Sequence, residues 1–412
     1  MGLFDLPRQL STDARIEDWL NQLATITDEP PGITRTFLSP ALEQAKQLVA
    51  GWMRDAGLEV FEDHAGNLIG RLDCGNPNAD TIACGSHLDS VRNAGRFDGP
   101  MGVVAGILAA ERVKAAGKQL PHHIEIVAFS DEEGVRFQTT YLGSRYYTGN
   151  LGSAERAFTD ADGITVGAAL SSHSPRFPAP PARNLIGYIE AHIEQGPVLE
   201  AENLPLGVVT AIAGQTRARI TVTGKAGHAG TTPMHMRRDA LAGAAECVLL
   251  VEEMARASGS VVATVGKLEM TTPASNVIPG EAQFTIDIRH AENAERQRFC
   301  RALFAEIEKR AKKRSLEPRI EIALAAPAAK CAPPLCDRLA KIVERRQPRC
   351  PRLVSGAGHD AVALAEVTDV VMLFVRCRDG LSHHPDEFAA ADDIALAIDV
   401  LAEFLADFPS HA

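Results

Sequence analysis

Histidine and carboxylate side chains gather just behind two short apolar runs between residues 81 and 133. TIACGSHLDSV carries His87 and Asp89, RFDGPMGV carries Asp98, and HIEIVAFSDEEGVRF carries Asp131, Glu132 and Glu133. Further on, EAHIEQG carries His192 and Glu194, and GLSHHPDE carries His383 and His384. Imidazole and carboxylate are the ligands of zinc-type ions, and hydrolytic sites often hold two such ions ~3.5 to 4 Å apart. Two ions need about five protein ligands, one of them shared; His87, Asp98, Glu132, Glu133, His192 and His383 supply that inventory. Each has an ordinary reading as well. A lone histidine at a strand end is more often a hydrogen-bonded structural residue, and adjacent acids are more often a solvated turn. Two features favour a metal. Asp89 can orient the His87 imidazole from two residues away, and the acids at 131–133 directly follow a buried strand, where crowded like charge calls for a cation.

The flanking elements explain why these residues should meet. Thr81 to Cys84 and Ile124 to Phe129 are short, apolar and β-branched, the pattern of buried strands. Gly102 to Ala116 between them reads as a helix with Gly117 past its end. Strand, helix, strand makes two parallel strands whose carboxyl ends share one sheet edge, the edge where α/β folds bind ligands.

At 412 residues the chain suits two domains, and 45% hydrophobic with 23% charged residues is an ordinary globular composition. The formal net charge of -11 argues against nucleic acid as a partner. No run approaches the ~18 apolar residues of a membrane span. MGLFDLPRQL lacks a basic region followed by an apolar core, which predicts a cytoplasmic protein with no membrane partner. Eight scattered cysteines then read as free, mostly packed thiols.

Residues 11 to 28 read as a helix with Ser11, Thr12 or Asp13 as its cap, and a second helix starts behind Ser39 and Pro40. Glu59 to Leu72 alternates around Gly66-Asn67 as a hairpin. Residues 150 to 184, rich in Ser, Ala, Gly and Pro, read as a surface excursion. From QTRARITVTG onward the order becomes strand, helix, two strands, helix, strand, the order of a small α+β sandwich. After Pro333-Pro334 the α/β pattern resumes. The expected fold is therefore α/β: a mixed-sheet catalytic domain with helices on both faces, residues 1–213 and 331–412, with a smaller ferredoxin-like α+β sandwich inserted at 214–330.

Taken together, GSHLDS, RFDGPMGV, SDEEGVRF, EAHIEQG, GHAGTTP, SGAGHDA and GLSHHPDE resemble, in order and over nearly the whole chain, the dinuclear metallohydrolases related to aminoacylase and carboxypeptidase. The nearer resemblance is to the branch of allantoate amidohydrolase, N-carbamoyl-L-amino-acid hydrolase and β-ureidopropionase. It implies two divalent ions, zinc, manganese or cobalt, with His87 and His192 on one, Glu133 and His383 on the other, and Asp98 bridging. His383 is chosen over His384 because the family ligand directly follows the Gly-x-Ser that is here Gly380-Leu381-Ser382. Glu132 would be the general base. The resemblance further implies that the inserted domain serves as lid and homodimer interface, that His228 stabilises the oxyanion, and that Asn276 and Arg289 hold a substrate carboxylate. Gln195, Gln215 and His359 match further polar positions near the substrate. Ala94 stands where a second glycine is usual. The implied reaction is hydrolysis of the ureido C–N bond of a small acid with release of ammonia, allantoate first, an N-carbamoyl-L-amino acid or N-carbamoyl-β-alanine as alternatives. A non-catalytic metal-binding protein on the same fold is the reading from another class; a free acid such as Glu132 speaks against it.

Overall fold

The computed structural model describes residues 10–271 and 274–409; the reading of the first ten residues as no leader falls almost wholly outside them. The chain divides into two compact units, Met1–Thr210 with Lys330–Ala412, and Ala211–Ala329.

The first unit is built on a mixed sheet of nine strands. Its centre is four parallel strands, β1 (Thr81–His87), β2 (His123–Phe129), β3 (Leu185–Ile193) and β4 (Val370–Val375), lying in the order β2-β1-β3-β4. All but the first residue of β3 are buried, which is why these strands read as continuous apolar runs rather than alternating ones. The antiparallel hairpin Glu59–Glu62 and Leu68–Leu72 extends the sheet beyond β2, and Leu206–Ile212 runs antiparallel beyond β4. The hairpin is closed by five residues, with Gly66 at φ 79, not by a two-residue turn. Asp63 holds that loop by accepting from the Ala65 and Asn67 amides.

Helix α1 (Pro100–Ala115) connects β1 to β2 and is buried on nearly every side, so its apolar residues do not form a single stripe. A Cβ on Gly102 would stand 2.1 Å from the Ala191 carbonyl oxygen, so only glycine lets α1 approach β3 this closely. Ser39 caps the helix Pro40–Asp55 by accepting from the Leu42 amide, with Pro40 in the first turn. The first helix, Leu10–Ala24, ends four residues before 28, and the side chains of Ser11, Thr12 and Asp13 lie outside the described part of the structure. It meets the second helix through stacked Trp19 and Trp52 rings, 4.4 Å between centroids.

Residues 150–184 are more than an excursion. They contain the helices Ser153–Arg156 and Val166–Ser172 and bury Leu151, Val166, Ala169 and Leu170 against Phe37, Phe137 and Leu142. Those four apolar residues are sparse among Ser, Gly and Pro, and a satellite core needs few of them. Residues 173–184 carry neither helix nor strand.

The second unit has four antiparallel strands, Gly214–Thr223, Val262–Met270, Glu281–His290 and Glu317–Ala326. In space they run fourth, first, third, second. Helices Ala240–Ser258 and Asn293–Lys313 bury Leu250, Leu303 and Ile307 against Ile220, Val222, Phe284 and Ile286 of the sheet. Residues of opposite parity, among them Arg217, Arg219, Thr285, Asp287 and Arg289, leave the core face, as a period of two requires.

Candidate dinuclear metal centre

Each of the four parallel strands ends in, or runs on toward, a residue of the cluster. His87 is the last residue of β1, His192 the penultimate residue of β3, Glu132 and Glu133 follow β2, and His383 follows β4. Asp98 stands at the entry to α1. The strand order places these ends side by side, so residues nearly 300 positions apart converge.

Asp98 is the centre of the arrangement. Its Oδ1 lies 3.1 Å from His192 Nε2 and 3.5 Å from His87 Nε2. Its Oδ2 lies 3.2 Å from His383 Nε2, and the same nitrogen is 3.4 Å from Glu133 Oε1. One donor atom from each of His87, Asp98 and His192 lies within 4.8 Å of the others, and the same holds for Asp98, Glu133 and His383. Two histidine-carboxylate triads sharing one carboxylate through its separate oxygens offer donors that could hold two ions with a bridging ligand. His384 is turned away, its Nδ1 accepting from the Asp386 amide.

The imidazoles are fixed from behind. His87 Nδ1 lies 3.0 Å from the Asp89 carbonyl oxygen and His192 Nδ1 lies 2.9 Å from that of Ile193. A carbonyl can only accept, so each Nδ1 carries a proton, which leaves each Nε2 the nitrogen able to give its lone pair to an ion. Asp89 thus orients His87 through its backbone. Its carboxylate, 3.5 Å from the ring, accepts instead from the amides of Glu132 and Glu133.

The electrostatics fit a cation. Burial pushes the Glu132 carboxyl well above the ordinary range, and neighbouring Glu133 adds to it. Burial and then Asp98 push Glu133 up to about 7. Burial also works against an ionised Asp98, but His192, His383 and His87 outweigh it and hold Asp98 well below the usual carboxylate range. His383 rises to about 9, chiefly through its hydrogen bond to Asp98. So many acids at one buried edge cannot all ionise against protein alone, and divalent charge is what lets them.

Several residues that sequence reasoning did not single out hold this centre. Glu387 Oε1 accepts from the Phe97 and Asp98 amides at 2.8 and 2.9 Å, and its Oε2 accepts from the Ser382 hydroxyl. The same hydroxyl lies 2.7 Å from Asp98 Oδ2, so its one proton is shared between the two carboxylates. The signal was in SHHPDE, where an acid sits four residues beyond the ligand, but only the fold shows which acid turns inward. Asn67, fully buried, ties the distant hairpin to the end of β2 by accepting from the Ser130 amide.

Of the residues matched to the substrate, Gln195 donates to Asp98 Oδ2 at 2.8 Å and so reaches the cluster. His359 is 1% exposed, packs edge-on to His192 at 4.6 Å between centroids and lies 2.7 Å from the Ser355 hydroxyl. Burial and then His192 keep it well below its usual pKa, so it stands as a neutral ring. Gln215, His228, Asn276 and Arg289 belong to the second unit. There Gln215 and Arg289 converge on Asp287: Gln215 donates to its Oδ2, and Arg289 donates to both oxygens at 2.9 and 3.0 Å. His228 is exposed and pairs with Val277 across a two-residue bridge that also brings the Ala229 amide to the Asn276 carbonyl.

The profile of peptidase family M20/M25/M40 matches residues 83–407. An allantoate deiminase of Arabidopsis thaliana is 40% identical, over 94% of this chain and 80% of its own length. An N-carbamoyl-L-amino-acid amidohydrolase of Pseudomonas sp. (strain NS671) is also 40% identical, over 94% of this chain and 96% of its own. Among solved structures, an amidase of the hydantoinase/carbamoylase family from Burkholderia multivorans superposes with a TM-score of 0.90 at 34% identity. That match covers 96% of this chain and 97% of the other.

Proposed function

This chain belongs to peptidase family M20/M25/M40, and within it we propose a hydrolase of non-peptide C–N bonds that cleaves the terminal ureido group of a small carboxylic acid. Allantoate is the substrate we favour, with N-carbamoyl-L-amino acids as the alternative; both follow the names of its 40%-identical relatives. The observation that carries the reading is the pair of triads sharing Asp98, with Glu132 beside them.

His87, His192 and Asp98 would hold one divalent ion, and Glu133, His383 and Asp98 the second; zinc, manganese and cobalt all suit these donors. Such ions, when bound, acidify water and polarise a carbonyl oxygen. Glu132 takes the proton from the attacking water and passes it to the departing nitrogen; burial raises its carboxyl above the usual range, which makes its carboxylate a stronger base. We assign His228 to the developing oxyanion, an interaction whose loss costs ~3 to 4 kcal/mol in comparable sites. Arg289 and Asn276 are assigned the substrate carboxylate, which a guanidinium grips through two parallel hydrogen bonds. We assign the inserted unit the role of lid and homodimer interface, and the cytoplasm as location.

The test is ammonia release from a panel of ureido acids by dialysed, remetallated protein. Metal-dependent ammonia from allantoate or an N-carbamoyl amino acid is expected. Bound metal without ammonia from any member would favour a non-catalytic metal-binding protein.

A further inference from the structure

A second group of metal-ligating side chains lies at the other end of β2. The antiparallel pairing of Leu72 with Ile124 sets Asp73 and Cys74 beside His123, the first residue of that strand. The acids of the candidate centre follow its last residue, Phe129, so about 20 Å of extended chain separates the two groups.

Cys74 Sγ is 4.0 Å from His123 Nε2, and Asp73 Oδ1 is 3.1 Å from His123 Nδ1. One donor atom from each residue lies within 4.8 Å of the others. Cys74 and His123 are buried while Asp73 is 52% exposed, so the group opens to solvent on the carboxylate side. The Cys74 amide also points at His123 Nδ1, at 3.2 Å. No protonation state of the ring serves both neighbours of that nitrogen. As an acceptor, Nδ1 satisfies the amide and turns a lone pair on the Asp73 carboxylate; as a donor, it satisfies Asp73 and abandons the amide. An ion on the other ring nitrogen, Nε2, would leave Nδ1 to accept the Cys74 amide and would draw the Asp73 carboxylate to itself.

We propose that Asp73, Cys74 and His123 form a separate site for a thiophilic divalent cation such as zinc or cadmium. Thiolate, imidazole and carboxylate are its three protein ligands, and water completes a tetrahedron. Bond lengths of ~2.3 Å to sulfur and ~2.0 Å to nitrogen imply an Sγ to Nε2 edge of roughly 3.6 Å, a few tenths of an ångström shorter than the 4.0 Å seen, and the half-exposed Asp73 carboxylate must swing from Nδ1 to the Nε2 edge to complete the set. Binding transfers the Cys74 thiol proton to solvent and pins the turn after the hairpin to the start of β2. Among the described residues, Cys74 is the only cysteine in such a group.

The experiment adds cadmium to protein whose catalytic centre is already loaded. The expected result is one further equivalent bound with an ultraviolet thiolate-to-metal charge-transfer band, both lost in Cys74→Ser, with ammonia release unchanged. A missing band in the wild type, or a band that survives in Cys74→Ser, overturns the proposal. Should Cys74→Ser fail to fold, the unsubstituted protein decides: cadmium must protect Cys74, identified by mass spectrometry, from a disulfide reagent. Protection of a different cysteine, or of none, overturns it equally.

Discussion

The Asp89 carboxylate accepts the backbone amide of Glu132 at 3.0 Å and that of Glu133 at 3.1 Å, so the end of β1 holds both acids behind β2 by their main chain. The same residue's carbonyl fixes the His87 ring. Asp89→Asn replaces one acceptor oxygen with an amide group that faces another amide. We expect metal affinity to fall ~10- to 100-fold, the usual scale for groups that orient ligands. Competition with a chromogenic chelator measures this; unchanged affinity would mean the acids are held without Asp89.

Glu387 does for Asp98 what Asp89 does for the acids. With Glu387→Gln only one acceptor oxygen remains for the Phe97 and Asp98 amides and the Ser382 hydroxyl. Metal should dissociate at least tenfold faster while the far-ultraviolet circular dichroism stays native. Wild-type dissociation in a folded variant would remove Glu387 from the account.

Arg289 donates to both carboxylate oxygens of Asp287, the two-bond grip proposed for the substrate carboxylate. Arg289→Ala should raise KM tenfold or more and change kcat little, because a ground-state contact is what it removes. Steady-state kinetics with allantoate decides it; KM and kcat both unchanged would clear Arg289 of a substrate role.

Away from the centre, Glu62 is 1% exposed and accepts from Lys46 and His173. Burial alone would raise its pKa, but His173 and Lys46 outweigh burial and bring it down to about 2 from an ordinary 4.5. A depressed folded pKa stabilises above the unfolded value and is lost as pH falls. Glu62 should therefore contribute about 3 kcal/mol at neutral pH that disappears between roughly pH 4.5 and 2. Urea denaturation of wild type and Glu62→Gln should differ most near pH 7 and converge toward pH 3. A gap independent of pH would refute the assignment.

Much of the candidate centre is legible because its acids and imidazoles lie at or just past strand ends, and buried parallel strands announce themselves as apolar runs followed by turn residues. His87, Glu132, Glu133 and His192 are of this kind. His383 is not; it stands in the inventory of possible ligands, but its loop reads as surface, its ring is half exposed, and the family resemblance is what selects it over His384. Glu387, Ser382 and Asn67 were missed because their task is to satisfy backbone amides and a ligand oxygen, which any polar residue in a loop could do on paper. The satellite core under 150–184 was missed for another reason: four apolar side chains suffice once Phe37 and Phe137 arrive from elsewhere.

The most direct test of the central claim is the turnover of Glu132→Gln loaded with metal. The account predicts full metal content, because His87, Asp98, Glu133, His192 and His383 remain, together with a loss of roughly 100-fold or more in ammonia release as general-base catalysis is removed. A variant that binds metal and keeps more than about a tenth of wild-type turnover would contradict it, since Glu132 could not then be the base.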